Sequence, residues 1–188
     1  MPIPLGVLAV AGAGAAGGGG SFDLLETTLI STNTASITFS SLGSYSNYKH
    51  LQIRATTRSA TGDSTGITFN SDTGNNYARH ALYGDGDGVY NSTQTSAANI
   101  RLLQQPVIST GVANAFGGMV LDILDFSNSS KNTTIRAFYG KNDGSFDDYI
   151  MLTSGFWNNT AAVTSITLTS ITSGNYVAGS RFSLYGIK

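Results

Sequence analysis

From Phe22 onward, apolar and polar side chains alternate in short runs separated by Gly, Asn, Asp and Ser. A period of two puts successive side chains on opposite faces of an extended chain, so each run reads as a β-strand with one face toward a core. The first is DLLETTLIS (23–31), and ASITFSS (35–41) follows with Ala35, Ile37 and Phe39 on one face. In YKHLQIRATTR (48–58), Leu51, Ile53 and Ala55 point inward while His50, Gln52 and Arg54 point out. GITFN (66–70) is another strand. NNYARHALYG (75–84) alternates less cleanly and leaves room for a single helical turn; the DGDGVYNST after it reads as a turn followed by polar loop.

The second half continues the pattern. NIRLLQQ (99–105) is a strand that Pro106 ends or marks as an edge. FGGMVLDILDF (116–126) is apolar on both faces, with Met119, Leu121 and Ile123 on one and Val120, Leu124 and Phe126 on the other, which suggests a central strand covered on both sides. TTIRAFYGK (133–141), DYIMLTSGFW (148–157), VTSITLTSI (163–171) and SRFSLYGIK (180–188) complete the set. Short strands at even spacing with Gly, Asn, Asp and Ser turns predict an all-β, antiparallel β-sandwich, jelly-roll-like, forming a single domain over 22–188.

Residues 1–21 differ from this body. GVLAVAGAGAAGGGGSF contains a literal G-x-G-x-x-G at Gly12, Gly14 and Gly17. A dinucleotide-binding turn needs a helix to start directly after it. Here the helix would begin at Gly17-Gly18-Gly19-Gly20, and each Gly costs about 1 kcal/mol against Ala in a helix. A secretory signal needs a basic first segment, yet Pro2 and Pro4 stand there and the first Lys is Lys49. The run from Leu5 to Ala16 is too short for a membrane span, which takes about 20 apolar residues. What remains is an extended N-terminal arm, with Leu5, Val7, Leu8 and Val10 as its apolar anchors to a partner.

Composition sharpens this picture. Of 188 residues only 11% are charged and the net charge is −1. Nucleic acid and anionic membranes are captured by clustered Lys and Arg, so neither is an expected partner. A surface of Ser, Thr, Asn, Gly and Tyr suits a chain packed against copies of itself or inside an assembly, since isolated domains carry more charge. With no cysteine, disulfides and thiolate-bound zinc are impossible.

Candidate chemistry is sparse. His50 and His80 stand apart, and no G-x-S-x-G elbow accompanies them. Asp85, Asp87 and Asn91 have the rudiment of a calcium loop, but Val89 occupies the next ligand position and the closing Glu is missing. Asp143, Asp147 and Asp148 form a second acidic cluster; Asp-Gly turn chemistry is the better reading of these Asp-rich loops. Asp122 and Asp125 have Arg136 as a structural partner across a neighbouring strand. No catalytic residue, metal or cofactor is expected. Exposed aromatics, above all Tyr83, Tyr90, Tyr149 and Trp157, offer either subunit contacts or a stacking platform for a glycan. The N-x-[ST] triplets at Asn91, Asn128, Asn132 and Asn158 are those expected by chance in so Asn-, Ser- and Thr-rich a chain.

The phrases YKHLQIRATTRS, FNSDTGNNYARH, NAFGGMVLDILDFSNSSKNTTIRAFYG, LTSGFWNNTAAVTSITLTS and GSRFSLYGIK resemble small β-rich virion structural proteins of tailed bacteriophages, notably those of cyanobacteria. The resemblance spans nearly the whole chain after the arm and carries no catalytic residues. It implies a non-enzymatic structural subunit present in many copies, located in the virion and expected to be a homotrimer. The first expectation is a capsid decoration or cement protein that the arm docks onto a major capsid protein. The alternative is a tail-fibre or baseplate module that contacts tail proteins and binds a host glycan.

Overall fold

The computed structural model describes residues 7–9, 21–61, 64–103, 105–108, 110–142, 144, 148–171 and 174–188. These form strands β1 (Val7–Ala9), β2 (Phe22–Ile30), β3 (Ser36–Phe39), β4 (His50–Ser59), β5 (Ser64–Phe69), β6 (Tyr77–Gly84) and β7 (Val89–Ala97). They continue as β8 (Ile100–Leu102), β9 (Val107–Ile108), β10 (Gly117–Leu124), β11 (Thr133–Lys141), β12 (Tyr149–Trp157), β13 (Ile166–Ile171) and β14 (Arg181–Ile187). One 3-10 turn, Leu42–Tyr45, interrupts them among the described residues. The large sheet runs β1-β2-β14-β4-β10-β11-β12-β6-β7, with β9 beside β4; the small sheet runs β3-β13-β5-β8. Every pairing is antiparallel except the short β4–β9 contact. The antiparallel all-β sandwich expected from the sequence forms, and this strand order is the description of its topology.

Alternation decides which face is inside. In β11, Thr133, Ile135, Ala137, Tyr139 and Lys141 are buried while Thr134, Arg136 and Phe138 are exposed. The core joins Leu51, Ile53, Leu121, Ile123 and Ile135 of the large sheet to Ile37, Phe39, Ile67, Phe69, Ile166 and Leu168 of the small one. Burying each such side chain contributes about 1.5–3 kcal/mol. At one end of this core Trp157, Tyr77 and Phe69 pack ring against ring, at centroid distances of 5.7–6.4 Å.

A seam joins the two sheets at Tyr176, whose backbone bridges Thr34 on one side and Ser59 on the other. Its hydroxyl lies 2.9 Å from Thr65 Oγ1, and Thr65 donates its only hydroxyl proton to Gln105 Oε1 at 2.8 Å. Tyr176 is therefore the donor to Thr65. Gln105 passes the chain on, donating from Nε2 to Thr57 Oγ1 at 2.7 Å. Burial raises the Tyr176 hydroxyl pKa well above its ordinary value.

The structure corrects the strand reading at several points. The stretch 75–84 contains no helical turn: β6 is a regular strand, and the stretch after it is strand β7 rather than loop. Gln52 is buried, not outward in solvent, because Asp122 and Arg54 close over it through hydrogen bonds. Ala35 is exposed and lies outside β3. In 116–126 only one face is covered: Val120 is exposed and Leu124 half-buried. Phe126 does reach the core, because Asp125 adopts a φ of 48° and turns the chain under the sheet.

Candidate functional site

The outer face of β10, β11, β12 and β6 is built from side chains that alternation assigns away from the core. Strand register stacks them in rows. Val120, Phe138, Leu152 and Leu82 lie directly opposite one another across the four strands. All four are exposed, with Phe138 at 51%, Leu152 at 54% and Leu82 at 51%. One row above, the order is Gly118, Gly140, Ile150, Gly84 and then Val89 of β7. Ile150 and Val89 are again exposed. Val120 and Phe138 of the first row and Gly118, Gly140, Ile150 and Gly84 of the second line a shallow groove of about 740 Å³, whose lining also includes Asp85, Lys141, Asn142 and Asp148. Single exposed apolar residues are ordinary, whereas a contiguous row of them is a feature of the surface that needs explaining.

The row below is polar. It runs Gln52, Asp122, Arg136, Ser154 and His80. Gln52 Nε2 donates to Asp122 Oδ1 and Arg136 Nε to Asp122 Oδ2, each at 2.7 Å, while Arg54 Nε donates to Gln52 Oε1 at 2.8 Å. Arg54 is itself sandwiched between the rings of Phe22 and Tyr185, 5.1 and 4.7 Å from their centroids. The apolar row thus has a satisfied, charge-balanced border on one side. Ser154 and His80 are neighbours in this row, but the row's carboxylate, Asp122, is three strand spacings from His80 and held by Arg136 and Gln52. His50 stands elsewhere, its Nδ1 accepting the Asp125 backbone N–H at 2.9 Å.

The structure separates the four aromatic candidates. Tyr83, Tyr90 and Tyr149 come together at the end of the sandwich, Tyr83 lying 5.4 Å from Tyr90 and 6.1 Å from Tyr149 between ring centroids. Lys141 Nζ sits 5.7 Å from the Tyr149 ring centroid. Trp157 does not join them. It is 1% exposed inside the core, so it offers no ring to a glycan or a partner. Its indole Nε1 donates to Asp72 Oδ2 at 2.7 Å, and Asn76 and the Gly74 N–H donate to the same carboxylate. These three hydrogen bonds, the one from Trp157 foremost, hold the Asp72 carboxyl below the usual range. Burial pushes the neighbouring Tyr77 hydroxyl up to about 12.

The remaining candidates are placed as follows. Asp85 spends its carboxylate on the N–H groups of Asp87 and Gly88, at 3.1 and 3.0 Å, in a turn where Gly86 has a φ of 95°. This is the turn chemistry expected for Asp-Gly. Asp143 and Asp147 lie outside the described residues, and among the described residues no group of three or more His, Asp or Glu is placed to hold a metal. Asp122 pairs with Arg136 as expected, but Asp125 pairs with Lys131 instead, and that contact lowers its carboxyl pKa. Leu5 and Val10 lie outside the described residues. Val7 and Leu8 belong to β1, whose backbone pairs with β2 at Val7–Ile30, Leu8–Leu29 and Ala9–Thr28.

Sequence reasoning missed Phe138, Ile150, Leu152 and Leu82 as a surface. The signal was present: each is a large apolar residue at an outward position of its own strand. Only register across four strands makes them a patch. Among the described residues no helix is long and apolar enough to cross a membrane. Comparison with known proteins finds no matching family model, no similar curated protein and no similar solved structure.

Proposed function

We propose that this chain is a non-enzymatic structural subunit of a tailed-bacteriophage virion that works by packing the outer face of its large sheet against neighbouring subunits. A capsid decoration or cement protein, trimeric and fixed to the particle with the help of its N-terminal arm, is the first form of this reading. The observation that supports it is the exposed apolar row Val120–Phe138–Leu152–Leu82. Covering such surface contributes about 25 cal/mol per Å², and in a particle the gain is repeated in every copy. The resemblance of the sequence phrases to virion proteins supplies the setting. Leu152→Asp is the test, because Leu152 already faces solvent and the monomer tolerates a charge there. Sedimentation is expected to find the wild-type chain associated and Leu152→Asp shifted toward monomer. A Leu152→Asp chain that associates normally argues against the outer face as the contact. Quantified copies per virion then separate capsid, in hundreds, from tail, in a few dozen or fewer.

One observation favours a second reading, a tail-fibre or baseplate module that binds a host glycan: the grouping of Tyr83, Tyr90 and Tyr149 beside Lys141. Tyr90 is the ring with most exposure there. Glycan-array binding that disappears in Tyr90→Ala supports this reading, and binding unaffected by that change removes its basis.

A further inference from the structure

We infer that the open edge of β7 pairs antiparallel with β7 of a second copy about a two-fold axis, joining the two large sheets into one. This contact is additional to the outer-face packing proposed above and does not depend on it.

The edge is long and unguarded. β7 ends the large sheet, pairing with β6 on one side and, among the described residues, with nothing on the other. Natural sheets blunt such edges by keeping them short or by placing charge or proline on them. The other terminal strands follow that rule by length: β1, β3 and β8 have three, four and three residues. β7 has nine, and VYNSTQTSA holds neither a charged residue nor a proline.

Backbone geometry fixes what the edge offers. The Asp85 N–H donates to the Gly88 carbonyl at 3.4 Å, which makes that pair a hydrogen-bonded one. Antiparallel ladders alternate, so in the register Tyr83–Tyr90 and Ala81–Ser92 it is Tyr90 and Ser92 that bond to β6. The N–H and C=O groups of Val89, Asn91 and Thr93 therefore face the open side. Their side chains stand on the outer face beside Gly84, Leu82 and His80, and all three are exposed. At the far end Ser96, with a φ of 50°, bends the strand. The straight stretch is Val89 to Thr95, with Ser92 at its middle.

A second copy is the occupant that fits this stretch. A two-fold axis through Ser92 sets Asn91 of each copy opposite Thr93 of the other, and these pairs exchange the open N–H and C=O groups. A strand paired with itself brings identical side chains close together, and like charges across a ladder repel. β7 has none to repel. The pairing also lengthens the outer face, because the row Val120–Phe138–Leu152–Leu82 ends at Asn91 and continues into the second copy. A two-fold contact closes after two copies, so where the chain is trimeric it links one trimer to the next.

The test uses the full chain carrying Leu152→Asp, which disables outer-face packing and leaves the edge intact. This chain is expected to retain association by sedimentation. Adding Asn91→Lys and Thr93→Lys, or Asn91→Glu and Thr93→Glu, is expected to weaken it about tenfold or more, and a one-to-one mixture of the two to restore it. Both positions are exposed, so each variant is expected to keep its Tm. A monomeric Leu152→Asp chain, or association indifferent to these charges, overturns the inference. The absence of native cysteine allows a second measurement on the otherwise unaltered chain. Oxidation of Asn91→Cys, of Thr93→Cys and of their mixture is expected to give a covalent dimer, most abundant in the mixture. No dimer in any of the three, or equal crosslinking by Thr38→Cys on the exposed face of the short edge β3, also overturns it. If Leu152→Asp alone leaves association unchanged while the edge charges abolish it, the edge contact stands and outer-face packing falls.

Discussion

On the inner face of β10, β11 and β12 stand Leu121, Ile135 and Met151; on the outer face stand Val120, Phe138 and Leu152. The two sets are similar in size and polarity. The small sheet closes over the first set, while the second is open to solvent. Alternation therefore tells which residues share a face but not what covers that face. An outer face this apolar gains a few tenths of a kcal/mol to about 1 kcal/mol per cross-strand pair within the sheet. Its larger return comes only when a second surface removes it from water.

The contrast can be broken by matched substitutions. Leu121→Ala empties a fully buried site and is expected to lower the unfolding free energy by about 2–5 kcal/mol in urea denaturation. Asp72→Ala comes next, at about 1–3 kcal/mol, because the buried Trp157 indole N–H loses its acceptor. The same carboxylate gives a pH signature. Its folded pKa lies below its unfolded value, so its stabilisation is present above about pH 4 and lost as pH falls through the folded pKa. Asp72→Asn should flatten that part of the acid limb. Leu152→Ala, the outer counterpart of Leu121→Ala, is expected to change monomer stability by no more than about 0.5 kcal/mol. A loss as large as that of Leu121→Ala would erase the distinction between the faces.

Much of the fold was legible because the small sheet imposes alternation wherever it lies over the large one. β11 coincides with its sequence-predicted span, 133–141, since every second residue there is buried. β6 and β7 were harder to read. β6 turns Arg79 inward and Leu82 outward, against the usual sorting, with Arg79 Nη1 and Nη2 each 3.2 Å from Ser92. β7 is the last strand of its sheet and buries no residue fully, so VYNSTQTSA has no apolar face to betray it. The Tyr83–Tyr90 pair was visible only as two tyrosines near a turn; the hairpin register sets them face to face. Trp157 misled because a lone tryptophan after a run of exposed aromatics reads as surface, whereas its position in the alternation of β12 is inward.

The seam at Tyr176 has a chemical consequence. Small sandwiches are often riveted by sulfur, and their closure then depends on the redox state of their surroundings. Here the rivet is a relay of hydroxyl and amide groups from Tyr176 through Thr65 and Gln105 to Thr57, in a chain without cysteine. The two sheets therefore fasten in the same way in a reducing cell and in the oxidising water outside it.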